Sequence, residues 1–164
     1  MSRNARGMFN TGAVALAFMA LAACDRGWIY RVPQATPVMA DGLRYDLDGP
    51  EETRLRVYAS VFTVSLSVGL EVWNTSGHPL SIEPQGLSVF RGKEELSSNR
   101  PSQVVRCEGR NEERVVLAKG QSCRMRAGFY VPHSARELQD LTLVHRGLVR
   151  DERHILVSVS LKKD

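Results

Sequence analysis

Between residues 62 and 72 apolar and polar side chains alternate without a break. Phe62, Val64, Leu66, Val68, Leu70 and Val72 stand against Thr63, Ser65, Ser67, Gly69 and Glu71. A strand turns successive side chains to opposite faces, whereas a helix of about 3.6 residues per turn would scatter these six around its circumference. The run predicts one half-buried strand, which stops at the turn formers of NTSGHP, residues 74–79.

The rest of the chain follows the same rhythm. Leu80 and Ile82 alternate, Pro84 and Gly86 interrupt, and Leu87 and Val89 resume, which predicts a kinked or bulged edge strand. Residues 91–102 read as a polar loop with a short strand near Glu95 and Leu96. SQVVRC and ERVVLAKG read as two short strands around a polar loop. In QSCRMRAGFYV, Cys123, Met125, Ala127, Phe129 and Val131 alternate with Arg124, Arg126, Gly128 and Tyr130. PHSARELQDL, residues 132–141, is the one helical candidate, with Pro132 at its start and Ala135, Leu138 and Leu141 at near-helical spacing. LTLVHRG and RHILVSVSLKK form a final hairpin, with Ile155, Val157, Val159 and Leu161 on one face.

Short strands punctuated by turns predict an all-β fold: an antiparallel sandwich with one short helical turn. The layout resembles the immunoglobulin-like domains common in small bacterial lipoproteins. The resemblance is one of strand rhythm, because the antibody-type Cys-Trp-Cys order is missing; Trp73 precedes both Cys107 and Cys123.

The N-terminus is built differently. Arg3 and Arg6 precede an apolar run from Gly12 to Ala23, and no acid occurs before Asp25. The run is shorter than the roughly 20 residues a spanning helix needs, and its basic, apolar, small order is that of a signal peptide. Leu21-Ala22-Ala23-Cys24 resembles the lipobox of bacterial lipoprotein precursors. That resemblance implies cleavage between Ala23 and Cys24, a diacylglyceryl group on the Cys24 thiol and an acylated new amine. The mature chain would then sit on a membrane through its lipid and face the periplasm. Each buried methylene contributes about 0.8 kcal/mol, and two or more acyl chains anchor stably. Asp25 resembles the signal that retains lipoproteins in the inner membrane of enteric bacteria.

The organisation expected is a signal peptide over 1–23, a lipidated N-terminus and extended tether over 24–42, and a sandwich domain over 43–164. Pro33 and Pro37 favour extended backbone in the tether. Trp28, Ile29 and Tyr30 have two readings: they rest at the membrane interface, or they dock on the domain as its first strand.

The net charge of +4 is partly a property of the precursor. Arg3 and Arg6 leave with the signal, so Lys plus Arg falls from 22 to 20 against 18 acids, and the mature chain carries +2. Its charges are mixed rather than clustered, which argues against a nucleic-acid partner. With Cys24 taken by lipid, Cys107 and Cys123 remain as an even pair. Outside the cytoplasm such a pair reads as a disulfide, and its spacing is far from a CxxC redox motif.

Catalytic patterns are not evident: the chain has neither GxSxG nor HExxH. His78, His133, His145 and His154 are scattered, and strand parity turns His145 inward and His154 outward unless a bulge intervenes. Cys123, Met125, His78 and His133 include soft ligands suited to copper, without a Met-rich or HxH cluster. Asp46 and Asp48 in DLDGPEE hint at calcium, but Pro50 interrupts the donor spacing and the stretch reads as a polar turn. Arg124, Arg126 and Tyr130 share one face, a possible binding face for an acidic partner or a sugar polymer. If another element covers that face, the arginines need carboxylates. No catalytic set, cofactor or metal site is expected. The expectation is therefore a non-enzymatic envelope module that binds another protein, with a periplasmic small-ligand or copper carrier as the alternative.

Overall fold

The computed structural model describes residues 28–32, 36–38, 44–62, 65–98, 104–130 and 140–163. In it the long alternation is two strands joined by a hairpin. β1 and β2 are short, Trp28–Arg31 and Thr36–Val38, and β3 spans Arg44–Gly49. β4 spans Thr53–Phe62 and β5 spans Ser65–Asn74, with Phe62 paired to Ser65 across a two-residue connection. Leu66, Val68, Leu70 and Val72 face the core as expected. Phe62 instead closes the preceding strand, and residue 64 lies outside the described residues. Pairing across the hairpin couples odd positions to even ones, so the inward set of β4 is Leu55, Val57, Ala59 and Val61. The alternation concealed the hairpin because it runs on in sequence from Phe62 to Ser65 without Gly, Asn or Asp to interrupt it.

β6 (Leu80–Ile82) and β7 (Leu87–Arg91) flank a 3-10 turn at Pro84–Gly86. The break was legible, but neither piece is an edge. β6 lies between β9 (Val115–Leu117) and β11 (Asp140–Arg150), and β7 lies between β11 and β8 (Glu94–Glu95). The interruption faces a bulge in β11 between His145 and Leu148. There the two backbones nearly touch: a Cβ on Gly86 would lie 2.5 Å from the Gly147 nitrogen, and one on Gly147 would lie 2.2 Å from the Glu83 carbonyl oxygen. Glycine on both sides lets break and bulge nest.

β10 (Ser122–Tyr130) pairs along its whole length with β5, and β12 (Arg153–Lys163) pairs with β11. The first sheet holds β2, β3, β4, β5 and β10; the second holds β6 to β9, β11 and β12. Both are antiparallel, and the fold is an all-β sandwich. β1 joins the sheets at one edge. Trp28 and Ile29 pair with Val61 and Ser60 of β4, then Tyr30 and Arg31 pair with Lys163 and Lys162 of β12. The sandwich thus takes in part of the segment read as a tether, and the backbone at 28–31 follows the first-strand alternative.

The core lies between the sheets. Leu55, Leu66, Leu70 and Met125 from one side meet Leu80, Ile82, Leu143 and Leu148 from the other, all essentially fully buried. Two expectations fare differently. Residues 104–107 of SQVVRC are irregular rather than a strand, since Cys107 leaves the sheet to meet Cys123. The helical candidate over 132–141 falls largely outside the described residues; its last two positions, Asp140 and Leu141, begin β11.

Candidate functional site

The outer face of the first sheet carries the most concentrated side-chain chemistry. β10 alternates as read from sequence: Cys123, Met125, Ala127 and Phe129 are buried, while Arg124, Arg126 and Tyr130 are on the outside. The hairpin register brings even positions of β4 and odd positions of β5 onto the same face. Arg54, Arg56 and Tyr58 therefore lie beside Gly69, Glu71 and Trp73. Sequence parity missed this group because it depends on the antiparallel pairing of Phe62 with Ser65.

Charge on this face is neutralised locally. Arg124 donates through Nε and Nη2 to Glu71 at 3.1 and 2.9 Å. Ser122 donates to the other Glu71 oxygen at 3.1 Å. Glu71 is only 8% exposed, so this shared carboxylate is well placed to hold Arg124 rigidly. Glu108 accepts from Arg126 Nε at 2.6 Å and lies 3.7 Å from Arg124. On β3, Asp46 takes a two-pronged contact from Arg56 at 2.6 and 2.9 Å and another from Arg54 at 2.8 Å. The hydrogen bonds from Arg56, then its charge and that of Arg54, outweigh burial and hold the Asp46 carboxyl below the usual aspartate range.

Aromatic rings fill the spaces between the pairs. The Arg56 guanidinium lies 5.1 Å from the centroid of Trp73, and Arg126 lies 6.0 Å from that of Tyr58. Tyr58 covers the backbone at Gly69. Arg44, Arg56, Tyr58, Glu71, Arg124 and Arg126 border a shallow depression at the centre. The three residues singled out from sequence thus share one face, two of them within this network. Arg54, Arg56, Arg124 and Arg126 already have carboxylates, so the face is a mixed aromatic and ionic surface rather than a basic patch.

The other candidates are dispersed. Cys107 and Cys123 form a disulfide with Cα atoms 5.1 Å apart. Met125 is fully buried, and His78 is exposed, with Nδ1 3.6 Å from Asp151. Position 133 lies outside the described residues, as do Ala23 and Cys24. Among the described residues no three His, Cys, Asp or Glu side chains converge. Asp46, considered for calcium, is engaged by arginines.

His145 and His154 follow the parity argument: the first is fully buried, the second exposed. The bulge falls after His145 on β11 and leaves the β12 alternation intact. His145 Nδ1 accepts from the Gly147 N–H at 3.3 Å, while Nε2 is buried without a hydrogen-bond partner. Burial drives the imidazole down to about 4, against a smaller opposing pull from Glu83.

A buried polar node that sequence reading passed over closes one end of the sandwich. Asn74 is wholly buried and uses all its side-chain capacity. Its Nδ2 donates to the carbonyls of His78 and Leu117 at 2.8 and 2.9 Å, and its Oδ1 accepts from the Ser76 N–H at 3.1 Å and Arg150 Nη2 at 2.8 Å. Arg150 also donates to the Glu51 carbonyl, tying the end of β11 to the β3–β4 turn. Asn74 opens the NTSGHP cluster, which reads as a turn alone. No family model and no curated protein matches the chain.

Proposed function

We propose that the protein is a lipid-anchored bacterial envelope lipoprotein whose sandwich is a non-enzymatic binding module for another envelope protein. The anchor reading rests on Leu21-Ala22-Ala23-Cys24 behind a basic, apolar leader. It places the mature domain in the periplasm, with Asp25 favouring the inner membrane.

The observation that carries the binding reading is the outer face of the first sheet. Trp, Tyr and Arg dominate the energetics of protein interfaces, and here Trp73, Tyr58, Tyr130, Arg56 and Arg126 lie on one face. The ion pairs to Asp46, Glu71 and Glu108 restrain the arginines before any partner arrives, which lowers the ordering cost of association. The disulfide fits an oxidising compartment and takes up both thiols that a copper carrier would use.

A photo-crosslinking side chain introduced at Tyr130 in living cells tests this. Leu156, exposed on the second sheet, is the control position. A discrete adduct from position 130, absent from position 156 and lost with Arg126→Glu, is expected. Adducts equally strong from both positions, or none from 130, would contradict it.

A further inference from the structure

β1 begins four residues after Cys24. Trp28 pairs with Val61 near the end of β4, and Tyr30 pairs with Lys163 at the end of β12. The chain therefore enters the sandwich at the pole that also holds the β4–β5 hairpin, the end of β10 at Tyr130 and the start of β11 at Asp140. Fully extended, four residues span at most about 14 Å. The long strands, at ten or eleven residues each, run roughly 33–37 Å from pole to pole. We propose that the lipid on Cys24 holds this pole against the phospholipid bilayer, so that the sandwich stands end-on. This rests on the lipid-anchor reading above.

The short reach from Cys24 to β1, rather than charge, chooses between the poles. At the near pole the exposed Lys162 pairs across β11 and β12 with the exposed Asp140. At the far pole, Glu51, Glu52, Asp151 and Glu152 occupy the tips of two tight turns. Standing end-on, the sandwich turns the face around Tyr58 and Arg126 sideways along the membrane, open to a neighbouring membrane protein.

The chain's two tryptophans report on the two poles. Trp28 lies at the near end, and Trp73 pairs with Ser122 near the far end. The mature lipidated protein is purified from membranes and reconstituted in phosphatidylethanolamine–phosphatidylglycerol vesicles whose acyl chains are brominated near the headgroup. Trp73→Phe leaves Trp28 as the fluorophore, and Trp28→Phe leaves Trp73. Trp28 should be quenched at least about threefold more than Trp73, given their separation of roughly 25 Å along the strands. A flexible Gly/Ser insert of about 20 residues after Gly27, with a reach of about 25 Å, leaves the sheets untouched and should relieve that quenching about twofold. Equal quenching, stronger quenching of Trp73, or no effect of the insert would overturn the orientation. Intact mass of the same preparation reads the lipid separately: its absence overturns the anchor, whereas a lipidated chain with equal quenching overturns only the end-on geometry.

Discussion

The ring of Tyr58 lies across Gly69, its partner on the neighbouring strand, so closely that a Cβ at position 69 would come within 1.8 Å of ring Cε1. Glycine weakens a strand by roughly 0.5–1 kcal/mol relative to alanine. Here the ring covers the bare backbone and carries the contact on to Arg126. Gly69→Ala should therefore destabilise the domain by about 1 kcal/mol. With Tyr58→Ala already present, the same substitution should stabilise by roughly 0.5–1 kcal/mol. Urea unfolding of the four proteins in the cycle checks the change of sign; equal effects in both backgrounds would remove the ring from the argument.

Acid should destabilise the protein before its carboxylates titrate. Burial lowers His145 to about 4 in the folded state, against about 6.5 when unfolded. Between those values the unfolded chain binds more protons, so stability present at neutral pH is lost as pH falls from 6.5 toward 4. The loss approaches about 3 kcal/mol. Asp46, held low mainly by its hydrogen bonds from Arg56, contributes stability above its unfolded value that is lost only at more acid pH. His145→Leu should flatten the stability profile between pH 6.5 and 4 while retaining the Asp46 limb. An unchanged slope in that window would assign it elsewhere.

The disulfide closes a sequence separation of 16 residues between the loop before β9 and the start of β10. Replacing Cys107 and Cys123 together with serine should cost about 3 kcal/mol. Intact mass with and without alkylating reagent identifies the native state: neither of these cysteines should be modified until a reductant is added. Alkylation without reductant would revive the thiolate ligands of the copper reading.

Asn74 should be the most sensitive polar position. Alanine there strands the carbonyls of His78 and Leu117 and removes the acceptor of Arg150. A cost of about 3 kcal/mol follows from leaving buried polar groups unpaired. Arg150→Met removes the guanidinium that would otherwise be left without Asn74. Adding Asn74→Ala to that variant should cost less than in the wild type, as thermal denaturation would register. Full additivity would mean that the two side chains act independently.

The strands that alternate and end in punctuation were legible in sequence. β10 and β12 have apolar residues at every second position. The β4–β5 hairpin was hidden because residues 62–65 continue the alternation through the turn. That single miss removed Tyr58, Arg56 and Trp73 from the candidate face, since their shared side depends on the parity switch. The shared side of Arg124, Arg126 and Tyr130 could be read because they belong to one uninterrupted strand. Asn74 and Arg150 were illegible for a different reason: they are 76 positions apart, and only the closed sandwich brings their side chains together. The assignment of β1 also depends on partners far along the chain, Val61 for Trp28 and Lys163 for Tyr30.

Radiolabelled palmitate supplied to cells making this chain tests the envelope assignment most directly. Label should enter the wild-type protein, survive denaturing electrophoresis, and vanish with Cys24→Ser, which should also release the domain from the membrane fraction. An unlabelled wild-type chain, or a serine variant that stays on the membrane, would contradict the account.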